Sequence, residues 1–296
     1  MKSRAEIEMP TGTRILSLDG GGVLGIVEAM ILAEMERLSG KKIYELFDLI
    51  IGTSTGGILA ITLGIKRYSA KDCVSLFQEL ATEVFPQNNL FGVNRFQNWD
   101  PKPLERFLSK YLGTITFSEV SPYPKVAVTA LKRSKGNDPP TDVLFGNYIN
   151  EKTQINEAAR ATSAAPTFFP AFEIGGEHYI DGGVGRNNPS WVALREAFHL
   201  WPTRDLAILV SVGSGSPPHE KTVALSETLA ELLHVATGTE QTHLAVLDYL
   251  SYYPRSSRSS NYNRFQPILP EQIPLDDSRE EIMQLLQQVT ESYIND

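Results

Sequence analysis

The sequence predicts an α/β fold with a central, mainly parallel sheet covered by helices on both faces. An apolar strand, Arg14 to Leu18, is followed by a glycine-rich turn and an amphipathic helix. A second strand, Asp48 to Ile51, runs into another glycine-flanked turn and a new helix. A third, Leu206 to Val212, is almost continuously apolar, as strands buried on both faces are. Strands joined by a helix form parallel units, so we expect functional loops at the strands' carboxyl ends.

The remaining elements follow from periodicity, caps and turn residues. Ser69 with Asp72 resembles a capping box, and Pro101 is suited to a first helical turn. Two consecutive glycines between short β patterns indicate a hairpin that ends at Asp181. In chain order we predict helices over 25–39, 58–63, 70–85 and 101–112, strands over 125–131 and 143–149, a helix over 156–164, hairpin strands over 172–174 and 178–180, and a helix over 191–201.

The chain is predicted to form one domain. It consists of a tail over residues 1–11, a core over 12–215 and a helical C-terminal part over 216–296 packed on the same domain. The last helix is expected to have Ser278 as its N-cap and Glu281 at the third position. The N-terminal residues carry neither a signal nor an anchor pattern, and no apolar run reaches the ~18 residues of a spanning helix. The lone Cys73 is expected to be a packed thiol, so we expect a cytoplasmic protein.

The charge balance limits the class of partner. A net charge of −8 argues against nucleic acid, whose binding depends on neutralising phosphates with lysine and arginine. It leaves room for transient contact with a membrane surface, which depends on a local patch. The sequence predicts no oligomeric state.

A serine stands between the second strand and the next helix. The run Gly52-Thr53-Ser54-Thr55-Gly56 fits the nucleophile elbow, in which flanking glycines leave room for a strained turn. The turn holds the hydroxyl at a helix N-terminus, where partial positive charge favours a developing oxyanion. Because serine is a weak nucleophile without such help, the pattern predicts a catalytic role for Ser54.

A glycine run follows the first strand, so its turn is expected beside the predicted nucleophile. In Asp19-Gly20-Gly21-Gly22 the three glycines free backbone N–H groups to point at one spot, as an oxyanion hole requires. The same letters fit a dinucleotide fingerprint through Gly20, Gly22 and Gly25. That alternative needs an acidic residue at the end of the second strand, where the serine motif stands instead. Nucleotide binding therefore remains the alternative.

The base that activates the serine is predicted to be a carboxylate. Asp181 follows the hairpin in an Asp-Gly-Gly turn, whereas a triad of the usual kind needs a histidine after the acid. Only two strands precede Ser54, fewer than in α/β-hydrolases. A reference pKa of ~3.9 makes aspartate a poor base, so burial must raise its pKa or proton transfer must accompany attack. The five histidines, none of which lies in a motif, are His178, His199, His219, His234 and His243.

Taken together, the motifs resemble the patatin-like phospholipases over roughly residues 12–215. The resemblance implies a Ser-Asp dyad, a glycine-loop oxyanion hole, no metal or other cofactor, and hydrolysis of acyl chains from a lipid ester. It rests on Asp19-Gly20-Gly21-Gly22-Val23-Leu24-Gly25, on Gly52-Thr53-Ser54-Thr55-Gly56, on Asp181-Gly182-Gly183, and on the segment from Arg160 to Pro170.

One position departs from the family's pattern. The glycine loop of the family usually reads Asp-Gly-Gly-Gly-x-Arg-Gly, and Leu24 stands at the arginine position. Loss of that arginine would reduce activity or shift it toward uncharged lipids. Arg160 and Arg186 are the candidates to replace it. A catalytically impaired lipid-binding module is thus a third interpretation.

Two segments are candidates for contact with lipid. One is an apolar loop that either touches an acyl chain or folds onto the core. The other mixes arginine with tyrosine and either attracts anionic headgroups or is a solvated loop. The apolar set is Leu90, Phe91, Val93, Phe96 and Trp99, and the arginine set is Arg255, Arg258 and Arg264, interleaved with Tyr252, Tyr253 and Tyr262.

Overall fold

One mixed sheet forms the centre of the protein. The computed structural model describes residues 12–87, 99–134, 138–149, 152–217, 238–252 and 261–296. Within these ranges the neighbouring strands run in the order β5-β6-β3-β2-β1-β7-β8, and β4 also pairs with β3. The strands are β1 (Thr13–Leu18), β2 (Leu49–Gly52), β3 (Lys125–Lys132), β4 (Thr141–Gly146), β5 (Phe172–Ile174), β6 (Glu177–Asp181), β7 (Leu206–Val212) and β8 (Tyr262–Phe265).

The middle of the sheet is parallel and one side of it is antiparallel. Strand β1 lies parallel to β2 and β7, β2 to β3, and β7 to β8. Antiparallel pairs join β3 to β4 and β6, and β5 to β6. The predicted α/β class is confirmed, since helices cover both faces of this sheet.

The register of β3 brings two strand ends together. Gly52 of β2 pairs with Val128, and Asp181 of β6 pairs with Ala130 two residues further on. Because β4 occupies the other edge of β3 over residues 127–132, β2 and β6 must share one edge. The last residue of β6 therefore arrives just beyond the carboxyl end of β2.

The helices largely follow the predicted ranges. The Ser69 capping box is confirmed, because the Asp72 N–H donates to Ser69 Oγ at 3.0 Å. The third helix begins at once after Ser54 and continues as a π-helical turn over Ile61–Ile65. The helices are α1 (Gly25–Ser39), α2 (Ile43–Leu46), α3 (Thr55–Ala60), α4 (Ala70–Val84), α5 (Pro101–Leu112), α6 (Ile155–Thr162), the short turn α7 (Gly183–Arg186), α8 (Ser190–Leu200), α9 (Glu240–Tyr252) and α10 (Glu280–Asn295).

Alternating strand residues divide the core into two layers. Leu16 and Ile50 belong to a large apolar cluster with α1, α4, α5 and α10. Ile15 and Leu49 face the opposite side, where α8 and α9 cover the sheet. Cys73 is buried in the first layer, and burial raises the pKa of its thiol to about 12. The expected packed thiol is therefore confirmed. Of the helices described, none combines the length and apolarity that crossing a bilayer demands.

The C-terminal part differs from its predicted pattern in two places. It contributes strand β8 to the sheet, beside β7, in addition to helices. Ser278 does not cap the last helix, because its hydroxyl donates instead to the carbonyl of Phe85 at the end of α4. Arg279 occupies the cap position. The Ser278 side chain therefore joins the start of α10 to the end of α4 and does not cap α10.

Candidate active site

Ser54 lies in a strained turn between β2 and α3. Its backbone has φ of 53° and ψ of −122°, a conformation that residues other than glycine rarely adopt. Gly52 and Gly56 make the turn sterically feasible. A side chain at Gly52 would meet the Gly56 carbonyl, and one at Gly56 would meet the backbone at the end of β1. The predicted elbow geometry is therefore present at Ser54.

Asp181 ends strand β6 and carries a fully buried carboxylate. Its Oδ1 accepts the Gly183 N–H at 2.6 Å, and the Ser54 side chain lies close enough to the same carboxyl group to lower its pKa. Burial raises the pKa of Asp181 to about 7, although the Gly183 hydrogen bond and the Ser54 side chain oppose that rise. The carboxylate thus has the raised pKa that a base acting near neutrality needs.

The glycine loop packs directly against the serine. A Cβ placed on Gly20 would lie 3.2 Å from Ser54 Cβ and would overlap the side chain of Asn187. Asn187 bonds both backbone groups of Gly20: its carbonyl accepts the Gly20 N–H at 3.0 Å, and its Nδ2 donates to the Gly20 carbonyl at 3.2 Å. The three sequence motifs therefore meet at one point of the fold.

The three loop amides differ in what they bind. The Gly20 N–H is used by Asn187, and the Gly21 N–H donates to Thr55 Oγ1 at 3.0 Å. Gly22 has a φ of +57°, and within the described ranges its N–H has no protein acceptor. Of the three predicted oxyanion donors, Gly22 is thus the one whose N–H has no protein partner in the part of the chain that the structure describes.

A threonine beside the serine ties the elbow to its surroundings. Thr53 Oγ1 lies 2.8 Å from Thr129 Oγ1 on β3 and donates to the Arg186 carbonyl at 2.7 Å. Arg186 follows the Asp-Gly-Gly turn by a few residues. The elbow is therefore fixed to the segment that carries the candidate base.

The histidines in the described ranges do not contact the serine. His178 on β6 and His199 on α8 are exposed. His243 on α9 has its Nδ1 3.0 Å from the hydroxyl of Tyr262. His219 and His234 lie outside the described residues. The titratable group on which the Ser54 side chain acts is the Asp181 carboxyl, whose pKa it lowers.

The arginines that were candidates to replace the loop arginine bind elsewhere. Arg160 is buried, pairs with Glu105 at 3.2 Å and lies against aromatic rings. Arg186 pairs with Asp142 at 2.8 Å. Leu24 itself is buried in the apolar core. Neither arginine therefore substitutes at the loop.

The described residues of the two segments considered for lipid contact are mostly packed against the protein. Trp99 packs on the core, edge-on to Phe85, and its indole N–H donates to Asp276 at 3.0 Å. Arg264 is buried against Asp19, so both interpretations offered for its segment, an exposed headgroup contact and a solvated loop, are wrong for this residue. Tyr252 is exposed, whereas Tyr262 is buried. The other residues of both sets lie outside the described ranges.

Two positioning side chains escaped the sequence prediction. The Ser54 N–H donates to Thr162 Oγ1 at 2.9 Å, so α6 supports the elbow from the side. The Asn187 side chain holds the glycine loop by donating to the Gly20 carbonyl. Thr162 lies inside the Arg160 to Pro170 segment and Asn187 in an Asn-Asn-Pro run, but neither pattern indicates which polar group the side chain binds.

Comparison with known proteins agrees with the motif resemblance. The profile described as Patatin-like phospholipase matches residues 16–194. Calcium-independent phospholipase A2-gamma of Homo sapiens is 34% identical over 96% of this chain and 38% of its own length. Phospholipase A I of Arabidopsis thaliana is 30% identical over 87% of this chain and 25% of its own length. The cGAMP-activated phospholipase of Vibrio cholerae serotype O1 is 33% identical over 66% of this chain and 59% of its own length. The chain spans well under half the length of the first two relatives, and it belongs to the patatin-like phospholipase family.

Proposed function

We propose that the chain is a lipid acyl hydrolase that cleaves carboxylic ester bonds through Ser54 and Asp181. The observation that carries the proposal is a serine in a strained elbow whose side chain lowers the pKa of a buried carboxylate, beside a glycine loop. The names of the relatives, which are phospholipases, support a phospholipid as the substrate. Such a substrate resides in a lipid aggregate, so we include transient contact with a membrane surface in the proposal.

The first half of the reaction forms an acyl-enzyme. The Ser54 oxygen attacks the ester carbonyl carbon while its proton passes to the Asp181 carboxylate. The carbonyl oxygen becomes an oxyanion, and we assign the Gly22 N–H, which has no protein acceptor within the described ranges, as a donor that stabilises it. When the tetrahedral intermediate collapses, the alcohol part of the lipid leaves with the proton that Asp181 held. Ser54 then carries the acyl group as an ester.

The second half releases the fatty acid. A water molecule attacks the acyl-serine, and Asp181 accepts its proton. The second tetrahedral intermediate collapses to free fatty acid, and the proton returns to the Ser54 oxygen. A pKa near 7 suits both halves, because Asp181 must accept and return a proton in each.

The dinucleotide alternative fits the loop less well. A pyrophosphate would need several free N–H groups in the glycine loop, whereas those of Gly20 and Gly21 already donate to Asn187 and Thr55. Strand β2 also delivers Ser54 where a ribose-binding acid would be required. Both observations favour ester hydrolysis over nucleotide binding.

The decisive experiment measures fatty acid release from a panel of phospholipid, galactolipid and neutral lipid vesicles. The wild type should release fatty acid, whereas Ser54→Ala and Asp181→Asn should each lose at least about 10³-fold in kcat. A fluorophosphonate probe should label the wild type and leave Ser54→Ala unlabelled. That labelling would also exclude the interpretation as an impaired lipid-binding module.

The matched controls sit away from the site. Ser69→Ala removes a serine that caps α4, and Asp48→Asn removes a carboxylate at the opposite end of β2. Both should retain near wild-type turnover per folded molecule. Full activity in Ser54→Ala or in Asp181→Asn would refute the proposal, provided that each protein gives the circular dichroism spectrum of the wild type.

A further inference from the structure

A buried arginine from the C-terminal part binds the first residue of the glycine loop. Arg264 lies on β8 opposite Ser211 and is almost completely buried. Its Nη2 donates to Asp19 Oδ2 at 2.7 Å, and its Nη1 lies 3.4 Å from Asp19 Oδ1 and 2.7 Å from Ser211 Oγ. The two side chains thus meet in a two-pronged ion pair away from water.

A second acid completes this cluster. Glu28 of α1 is fully buried, and its Oε1 accepts the Asp19 N–H at 2.8 Å. Burial raises the pKa of Glu28 well above its usual value, and burial also raises the pKa of Asp19 to about 6, against the pull of Arg264. Arg264 is the cation that faces both buried acids, because it lowers the pKa of each against the effect of burial.

The C-terminal part holds the loop at a second point. The Leu275 carbonyl accepts the Val23 N–H at 2.8 Å, and a side chain at Gly22 would overlap Leu275. The loop from Asp19 to Val23 is thus held at both ends by residues beyond position 260. These residues lie outside the 16–194 region that matches the family profile.

We propose that Arg264 is the positioning residue that fixes the glycine loop beside Ser54, acting through Asp19. The inference rests on the proposed function and deepens it. Asp19 immediately precedes Gly20, where an added Cβ would lie 3.2 Å from Ser54 Cβ, so a shift of Asp19 displaces the loop amides from a developing oxyanion. Leu24 occupies the family's arginine position as a core residue, and the cation near the loop comes from β8 instead.

The test compares Arg264→Gln and Arg264→Lys with Arg14→Gln. Arg14 forms an ion pair with Asp48 at 2.6 Å at the opposite end of β1, so its variant controls for loss of an ion pair in the same sheet. We expect kcat to fall about 10²-fold in Arg264→Gln with KM changed less than about threefold, because loop alignment matters in the transition state. Arg264→Lys should recover part of that loss, and Arg14→Gln should keep wild-type kcat.

A double variant separates positioning from simple stability. Arg264→Gln leaves two buried acids without a cation and is prone to misfold, whereas Asp19→Asn with Arg264→Gln removes both charges and should fold. A purely structural ion pair predicts that this folded double variant regains wild-type kcat. The positioning role predicts that kcat stays at least tenfold low while the thermal unfolding midpoint recovers.

The outcomes distinguish the two proposals. Wild-type kcat in Arg264→Lys together with wild-type kcat in the double variant would overturn the role of Arg264 and leave the hydrolase intact. If the wild type itself releases no fatty acid and the fluorophosphonate probe does not label Ser54, the proposed function fails instead. Counts of active sites by the probe give kcat per competent molecule in every variant.

Discussion

The backbone N–H of Ser54 donates to the hydroxyl of Thr162 across 2.9 Å. This bond links the elbow, which follows β2, to the last residue of α6, which is 108 positions away in the chain. The Ser54 amide is therefore held by a side chain, and the strained turn is supported from outside its own strand and helix. Thr162 thus holds the backbone of the residue whose hydroxyl we propose as the nucleophile.

Replacement of Thr162 by valine should weaken both fold and catalysis. The change leaves the Ser54 N–H without its acceptor, at a cost of about 1–3 kcal/mol in the free energy of unfolding. We expect kcat to fall about tenfold because the elbow is no longer held in place. Urea unfolding and fatty acid release measure the two effects. Thr162→Ser keeps the hydroxyl and is the control, so equal activity of the valine and serine variants would contradict the prediction.

Relief of the backbone strain at Ser54 by glycine should raise the free energy of unfolding. At φ of 53° and ψ of −122° a side chain costs of the order of 1–3 kcal/mol, and glycine avoids that cost. Ser54→Gly should therefore unfold at higher urea concentration than Ser54→Ala, even though both are inactive. Where the backbone is unstrained, glycine lowers the free energy of unfolding by roughly 0.5–1 kcal/mol relative to alanine. A Ser54→Gly variant less stable than Ser54→Ala would therefore show that the elbow carries no strain.

The parts of the site that lie in local motifs could be predicted from the sequence. A strand, a glycine-bounded serine and a helix specify the elbow, and the strand that precedes Gly20 specifies its loop, because both depend on neighbouring residues. The hairpin that delivers Asp181 is set by its double-glycine turn, whose residues both have positive φ. The rule that parallel strands present their carboxyl ends at one edge predicts that the elbow and the glycine loop lie side by side. Asp181 arrives instead on the antiparallel strand β6, and its place depends on the register of β6 on β3.

The contacts between distant segments could not be predicted in this way. Arg264 looked like one of several surface cations, since nothing around it shows that β8 pairs with β7 and points the guanidinium at Asp19. Ser278 has the spacing of a cap but bonds Phe85, which is near only in the folded chain. Pairing of this kind depends on tertiary register, which one sequence does not reveal.

Asn187 should prove more important for turnover than its neighbour Asn188. Asn187→Ala removes the hydrogen bond to the Gly20 carbonyl, so the glycine loop is held less firmly and kcat should fall roughly tenfold. Asn188→Ala removes a bond to the Thr239 carbonyl and the acceptor for the Ser190 N–H, and should cost about 1 kcal/mol in stability with little change in kcat. Equal kcat in the two variants would argue against a role for Asn187.

Activity should rise with pH through neutrality. Asp181 must be ionised to accept the Ser54 proton, and burial raises the pKa of its carboxyl to about 7. The logarithm of kcat/KM should therefore climb with unit slope below pH 7 and level off above it. The rate of fluorophosphonate labelling should follow the same curve, because it needs the same base. A plateau that extends down to pH 5 would exclude Asp181 as the group that titrates.

The stability of Asp181→Asn relative to the wild type should also depend on pH. Since the folded-state pKa lies above the unfolded value of ~3.9, the neutral acid favours the folded state, and the wild type loses stability as pH rises from about 4 to about 7. Asparagine cannot ionise, so above pH 8 the variant should be more stable by up to about 4 kcal/mol, from roughly three pH units at about 1.36 kcal/mol each. Below pH 4 the two proteins should be similar. Urea unfolding at pH 4 and pH 8.5 tests this. A difference in unfolding free energy that does not change with pH would mean that burial does not raise the pKa of the Asp181 carboxyl.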